Sequence, residues 1–135
     1  FSLPEPDSGE TSPLKQDFEG VALFRDKGGE QYLLLSSQGN HRYALIATRT
    51  GHLSDTFAIS PNTSGDKVID GVAETDGLDV TTRALGAAFP NGLLVVQDGF
   101  NTDPEAQQNF KYVDWGKVME AVTLSPYPAP SQKAD

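Results

Sequence analysis

The chain has no cysteine, so neither a disulfide framework nor a thiolate metal site is open to it. It is also short of positive charge: 10 Lys and Arg stand against 19 Asp and Glu, for a net charge of -9 and an isoelectric point near 4.5. Nucleic acid and anionic membrane surfaces need a cationic face, so neither is expected as a partner. Cations, or substrates presented with cations, are the natural ones. No apolar run approaches the ~18 residues of a membrane-spanning helix. The motifs G-x-S-x-G, the P-loop and G-x-G-x-x-G are missing, which leaves nucleophilic serine and nucleotide chemistry without an anchor. The only two histidines, His41 and His52, lie in or beside turns and read as exposed hydrogen-bonding residues. At 135 residues and 37% hydrophobic content the chain suits one domain with a modest core. It starts at Phe1 with no signal-peptide pattern and reads as a mature product or a fragment.

What is present is a series of short β segments. Runs rich in Val, Ile, Leu, Phe, Tyr and Thr occur at 20–25, 31–37, 42–48, 54–59, 77–83, 92–97 and 109–113, each bounded by Gly, Asn, Asp or Pro. Turn signals such as Lys27-Gly28-Gly29, Gln38-Gly39-Asn40 and Pro90-Asn91-Gly92 separate them. Only 115–124, WGKVMEAVTL, has helical spacing. The ends, 1–14 and 125–135, are rich in Pro, Ser and charge and read as flexible segments flanking a folded unit at 15–124. Asp17-x-Glu19-Gly20-Val21 recurs about 57 residues on, as Glu74-x-Asp76-Gly77-Leu78, each copy leading into a strand. LLLSSQG, ending at Gly39, is answered by LLVVQDG, ending at Gly99. A period near 60 with about four strands per unit predicts β-propeller blades, which bury their faces only against neighbouring blades. Two blades do not close a propeller, so a larger ring is expected around them.

Three acidic clusters carry candidate oxygen ligands: Asp17 with Glu19; Asp70, Glu74, Asp76 and Asp79; and Asp98, Asn101, Asp103 and Glu105. Carboxylates, amide oxygens and turn carbonyls are hard donors, and several together without His or Cys suit Ca²⁺. The order is not that of an EF-hand. Each acidic residue alone reads more simply as a solvated turn, and it is the three clusters together that favour metal binding. On alternation, Asp17 and Glu19 point to one side of an extended segment while Phe18 packs behind them.

The segments DFEG, YLLLSSQGN, DGVAETDGLDV, GLLVVQDGFN and QNFKYVDW, in this order and spacing over about 17–115, resemble the C-terminal part of the β-propeller phytases, also called alkaline or Bacillus-type phytases. The resemblance implies an all-β fold: about two four-stranded blades of a six-bladed propeller, with one short C-terminal helix. It implies a calcium-dependent phosphomonoester hydrolase acting on myo-inositol hexakisphosphate (phytate), with a metal-activated water attacking phosphorus. Asp17, Glu19 and Asp70 match acidic residues at the catalytic mouth, and Asp76 another site residue. Glu74, Asn101 and Asp103 fall at further positions expected to hold calcium, and Gln38 matches a position near the central channel. The family usually has Asp where Glu74 stands, and often an acidic residue where Phe100 stands. Its phosphate-gripping Lys and Arg lie mostly in earlier blades, so this chain alone is expected to be inactive and to depend on the remaining blades of the same protein. Secretion or a periplasmic location is the implied setting. The alternative is a calcium-stabilised propeller used only for binding.

Overall fold

The structure, a computed structural model, describes Leu14, Lys15 and residues 17–100 and 107–130. Seven strands and one helix follow in chain order: β1 (Phe18–Arg25), β2 (Gln31–Ser37), β3 (Arg42–Ala47), β4 (Leu53–Phe57), β5 (Leu78–Thr81), β6 (Leu93–Asp98), β7 (Asn109–Asp114) and α1 (Trp115–Ala121). They form two antiparallel meanders, β1-β2-β3-β4 and β5-β6-β7. This is the all-β, two-blade architecture expected, except that the second sheet has three strands among the described residues.

Local chemistry explains the breaks. Asp26 Oδ1 accepts from Glu30 N at 2.9 Å, closing the β1–β2 turn with the side-chain device that favours aspartate in turns. Between β2 and β3 a short 3₁₀ turn, Gln38–Asn40, ends at His41 in the left-handed region, φ 54°. Asp114 caps α1 by accepting from Gly116 N at 2.9 Å. The helix stops at Ala121 because Val122 is already extended, at φ -113° and ψ 159°. The long β4–β5 connection is tied by reciprocal backbone bonds between Asn62 and Ile69, 2.7 and 3.0 Å.

The main core lies between the two sheets. Phe24, Tyr32, Leu34, Tyr43 and Leu45 of the first sheet meet Leu94 and Val96 of the second, with Trp115 and Val118 of α1 closing one end. Phe24 packs edge-on to Trp115, ring centroids 4.8 Å apart. Leu14, Leu35, Ala44 and Ile46 form a smaller cluster on the other face of the first sheet, joined by Phe18. Residues outside 15–124 also touch the first sheet. Leu14 is buried, and beyond α1 the chain is strapped to the first sheet: Ser125 N donates to Ser54 Oγ at 2.6 Å, Thr123 N to Asp55 Oδ2 at 2.8 Å, and Arg49 lies over the Tyr127 ring.

β1 is not a regular strand. Phe18 pairs with Ser37 and Val21 with Leu35, so Glu19 and Gly20 together oppose Ser36 in a β-bulge. A bulge takes one amide out of the ladder, and here Gly20 N donates to Ser36 Oγ at 2.8 Å instead. Gly20 also faces the second blade closely: a Cβ there would lie 3.1 Å from Leu78 Cγ.

Candidate active site

The two copies of the acidic repeat meet at one end of the sheets. Thr75 is the pin. It is buried; its carbonyl accepts from Ser36 Oγ at 3.0 Å and its hydroxyl lies 2.6 Å from Tyr43 Oη. Its neighbours Glu74 and Asp76 are therefore displayed on the exposed side, while the residue between them is locked into the first blade. The same Ser36 hydroxyl receives Gly20 N, so a single oxygen joins the start of β1 to the 70–76 segment.

Gln38 makes a second bridge. Its backbone N–H donates to the Asp17 carbonyl at 2.9 Å and its side-chain amide to Asp76 Oδ1 at 2.6 Å. His41 makes a third, with Nδ1 accepting from Glu74 N at 3.2 Å. That bond requires the proton of a neutral ring to sit on Nε2. Asp76 N in turn donates to Gln97 Oε1 at 2.9 Å, which ties the segment to β6.

The non-glycine residues with positive φ among those described are Asp17 (72°), His41 (54°) and Glu74 (52°), and all three belong to this network. Such conformations cost on the order of 1–3 kcal/mol each and persist only where surrounding bonds over-determine them. Their concentration at one place separates this mouth from an ordinary acidic turn. It also replaces the simple alternation expected of DFEG: with Asp17 left-handed and a bulge just after it, the direction of both carboxylates is set by the loop and not by strand period.

Asp17, Glu19, Glu74 and Asp76 thus lie exposed along one hydrogen-bonded seam. Asp70 is placed differently. Its carboxylate meets the Lys111 ammonium, which also lies 2.7 Å from Asp98 Oδ2. Asn101 and Asp103 lie outside the described residues. Among the described residues, no three acidic, His or Cys side chains converge tightly enough to enclose a metal ion.

The residues missed by sequence reading are Ser36, Tyr43 and Thr75, which carry no charge, and Lys111, whose place in an aromatic strand hid it. Burial pushes the Tyr43 phenol up to about 12, against the opposing hydrogen bond from Thr75 and with a further rise from nearby Asp98. A separate cleft of about 710 Å³ opens at the far end of β1, between Arg25, Lys27, Asn91, Trp115 and Met119. It shares no residue with the acidic seam.

The phytase family model matches residues 6–128, taking in both copies of the repeat and all seven strands. The chain belongs to the phytase family. It is 39% identical over 110 residues to the 3-phytase of Bacillus subtilis (strain 168), a match covering 79% of this chain and 28% of that relative. The chain therefore spans little more than a quarter of the curated phytase it matches. Within the phytase family frame, the mouth formed by Asp17, Glu19, Glu74 and Asp76 is the candidate site, and the buried seryl, threonyl and tyrosyl hydroxyls beneath it are its support.

Proposed function

We propose that this chain supplies part of the active site of a calcium-dependent phytate hydrolase, the rest coming from the remaining blades of the same protein. The observation that supports this most directly is Thr75, buried and doubly bonded, holding Glu74 and Asp76 outward beside Asp17. An exposed row of carboxylates with strained backbones is costly for folding, and a ligand that needs hard oxygen donors accounts for it.

The donor set fits Ca²⁺ in kind. Since no described trio encloses an ion, ligands from elsewhere in the enzyme, or the substrate's own phosphate oxygens, would complete each shell. Asp17, Glu19, Glu74 and Asp76 would hold the ions, with Asp70, Asn101 and Asp103 belonging to the adjoining calcium region. Bound calcium would turn an acidic mouth attractive to a polyanion and acidify a water for attack on phosphorus. The chain's own part is positional. Gln38 fixes one oxygen of the exposed Asp76 carboxylate, and the Ser36 hydroxyl ties the start of β1, beside Glu19, to the segment that carries Glu74.

The test is phosphate release from phytate by the complete enzyme as calcium is varied. Glu19→Ala and Asp76→Ala are each expected to raise the calcium requirement and lower the rate. Unchanged calcium dependence and unchanged release in both variants would refute the assignment. Chelation with EGTA should lower the melting temperature, because a ligand bound at 100 times its Kd adds about 2.7 kcal/mol to the folded state.

A further inference from the structure

Lys111 sits on β7 between Phe110 and Tyr112, which are exposed, yet its own side chain turns inward and is only 10% exposed. There Nζ meets the Asp70 carboxylate, the Gly71 carbonyl at 2.8 Å, the Asp70 carbonyl at 3.2 Å and Asp98 Oδ2 at 2.7 Å. The ammonium donates to the Asp70 carboxylate and to the Asp70 and Gly71 carbonyls and forms an ion pair with Asp98 Oδ2, so the group behaves as a tethered cation at the centre of a cage. Asp98 is fully buried. Its other oxygen accepts from Ala73 N at 3.1 Å, and Gly99 N donates to the Ala73 carbonyl at 2.9 Å. One cation thus gathers Asp70 and Gly71 on one side and Asp98 on the other, and Asp98 passes the hold to the residue next to Glu74. Burial alone would lower the lysine's proton affinity, but its bonds to Asp70 and Asp98 outweigh this and the net displacement is upward, so the cation stays charged.

We propose that Lys111 is a positioning residue for the calcium-holding segment 70–76: its ammonium, caged by Asp70, Asp98 and the Gly71 carbonyl, sets where Glu74 and Asp76 stand. The inference rests on the phytate-hydrolase reading and deepens it. Lys111 acts through the loop; its ammonium is occupied inside the second blade.

In the complete enzyme, Lys111→Met should raise the calcium concentration for half-maximal phosphate release by roughly tenfold or more, the scale found when groups supporting metal ligands are removed. The rate at saturating calcium should fall much less. Because methionine leaves the buried Asp98 carboxylate without its counter-charge, a second variant, Lys111→Met with Asp98→Asn, removes both charges together and should show the same shift. Lys111→Arg, which keeps the charge, should recover part of it. Deuterium exchange read on the same samples should quicken at the Ala73 and Asp76 amides while those of Leu34 and Leu45 stay protected. An unaltered calcium requirement in variants whose melting temperature falls would make Lys111 merely structural and overturn the inference, as would faster exchange spread evenly through both sheets. A wild-type enzyme that releases no phosphate from phytate would sink the functional reading instead. Exchange at Ala73 and Asp76 would then still decide whether Lys111 positions the loop.

Discussion

Replacing Ser36 with alanine removes one oxygen atom and orphans two backbone groups. Ser36 is buried, its Oγ accepts from Gly20 N at 2.8 Å and donates to the Thr75 carbonyl at 3.0 Å, and both Gly20 and Thr75 are themselves buried. A buried backbone group left without a partner costs about 1–3 kcal/mol. Two such groups relieved by a single hydroxyl put the expected loss for Ser36→Ala at roughly 2–4 kcal/mol. The fluorescence of the single tryptophan, Trp115, buried between helix and sheets, reports unfolding in urea. With a slope of about 1–3 kcal/mol per molar, the midpoint should fall by roughly 1–4 M at constant slope. Tyr43→Phe removes the other bond to Thr75, and the two changes share a partner. Their double variant should therefore depart from additivity by at least about 0.5 kcal/mol. A loss below about 0.5 kcal/mol for Ser36→Ala, or strict additivity with Tyr43→Phe, would refute the view that this hydroxyl joins the two copies of the repeat.

Three further outcomes follow from the same geometry. Tyr43 titrates at about 12 in the folded chain against an ordinary 10.0, so the stability of its neutral form is fully present below pH 10 and is lost as pH rises towards 12. That is roughly 2–3 kcal/mol, measurable as a steeper alkaline loss of stability in the native chain than in Tyr43→Phe. Asp17→Gly relieves a left-handed backbone at the expense of chain entropy. It should leave stability unchanged or about 1 kcal/mol higher while raising the calcium requirement, and a clear destabilisation in urea would argue against strain there. Gly99→Ala would place a Cβ 2.5 Å from the Glu74 carbonyl oxygen, pushing the acidic segment off β6. A loss of about 1–3 kcal/mol in urea, with weaker calcium dependence, is expected.

The strands are legible where turn chemistry and side-chain pattern agree: the pattern predicts a strand over 31–37, and β2 runs Gln31–Ser37. The spacing of 115–124 predicts a helix to Leu124, with Val118 and Val122 on one face, whereas α1 ends at Ala121. Val122 does pack against the core, but from extended backbone, a case that burial periodicity does not distinguish. The acidic residues of the mouth were visible as residue types, and their meeting was foreshadowed by the repeat. Their conformations are not visible in the pattern, since positive φ at Asp17, His41 and Glu74 accompanies hydrogen bonds to loop residues remote in sequence, Gln38 with Asp17 and His41 with Glu74. Lys111 illustrates the limit most clearly. In NFKYVD, alternation offers the two aromatic side chains to the core and the lysine to water. The buried Asp98 on the neighbouring strand reverses that choice, because an unpaired interior carboxylate is costlier than two exposed rings.

The bulge at Glu19 and Gly20 sets the parity of β1. Downstream of it Phe24, an even-numbered residue, faces the core between the sheets; upstream, Phe18, also even-numbered, packs with Leu35 and Ile46 on the opposite face. One extra residue has exchanged the two sides. Deleting a single residue between Asp17 and Val21 would therefore rotate Phe18 out of its cluster and the acidic pair away from the second blade, even if every strand still formed. Length variation among homologues should accordingly be barred from these few positions.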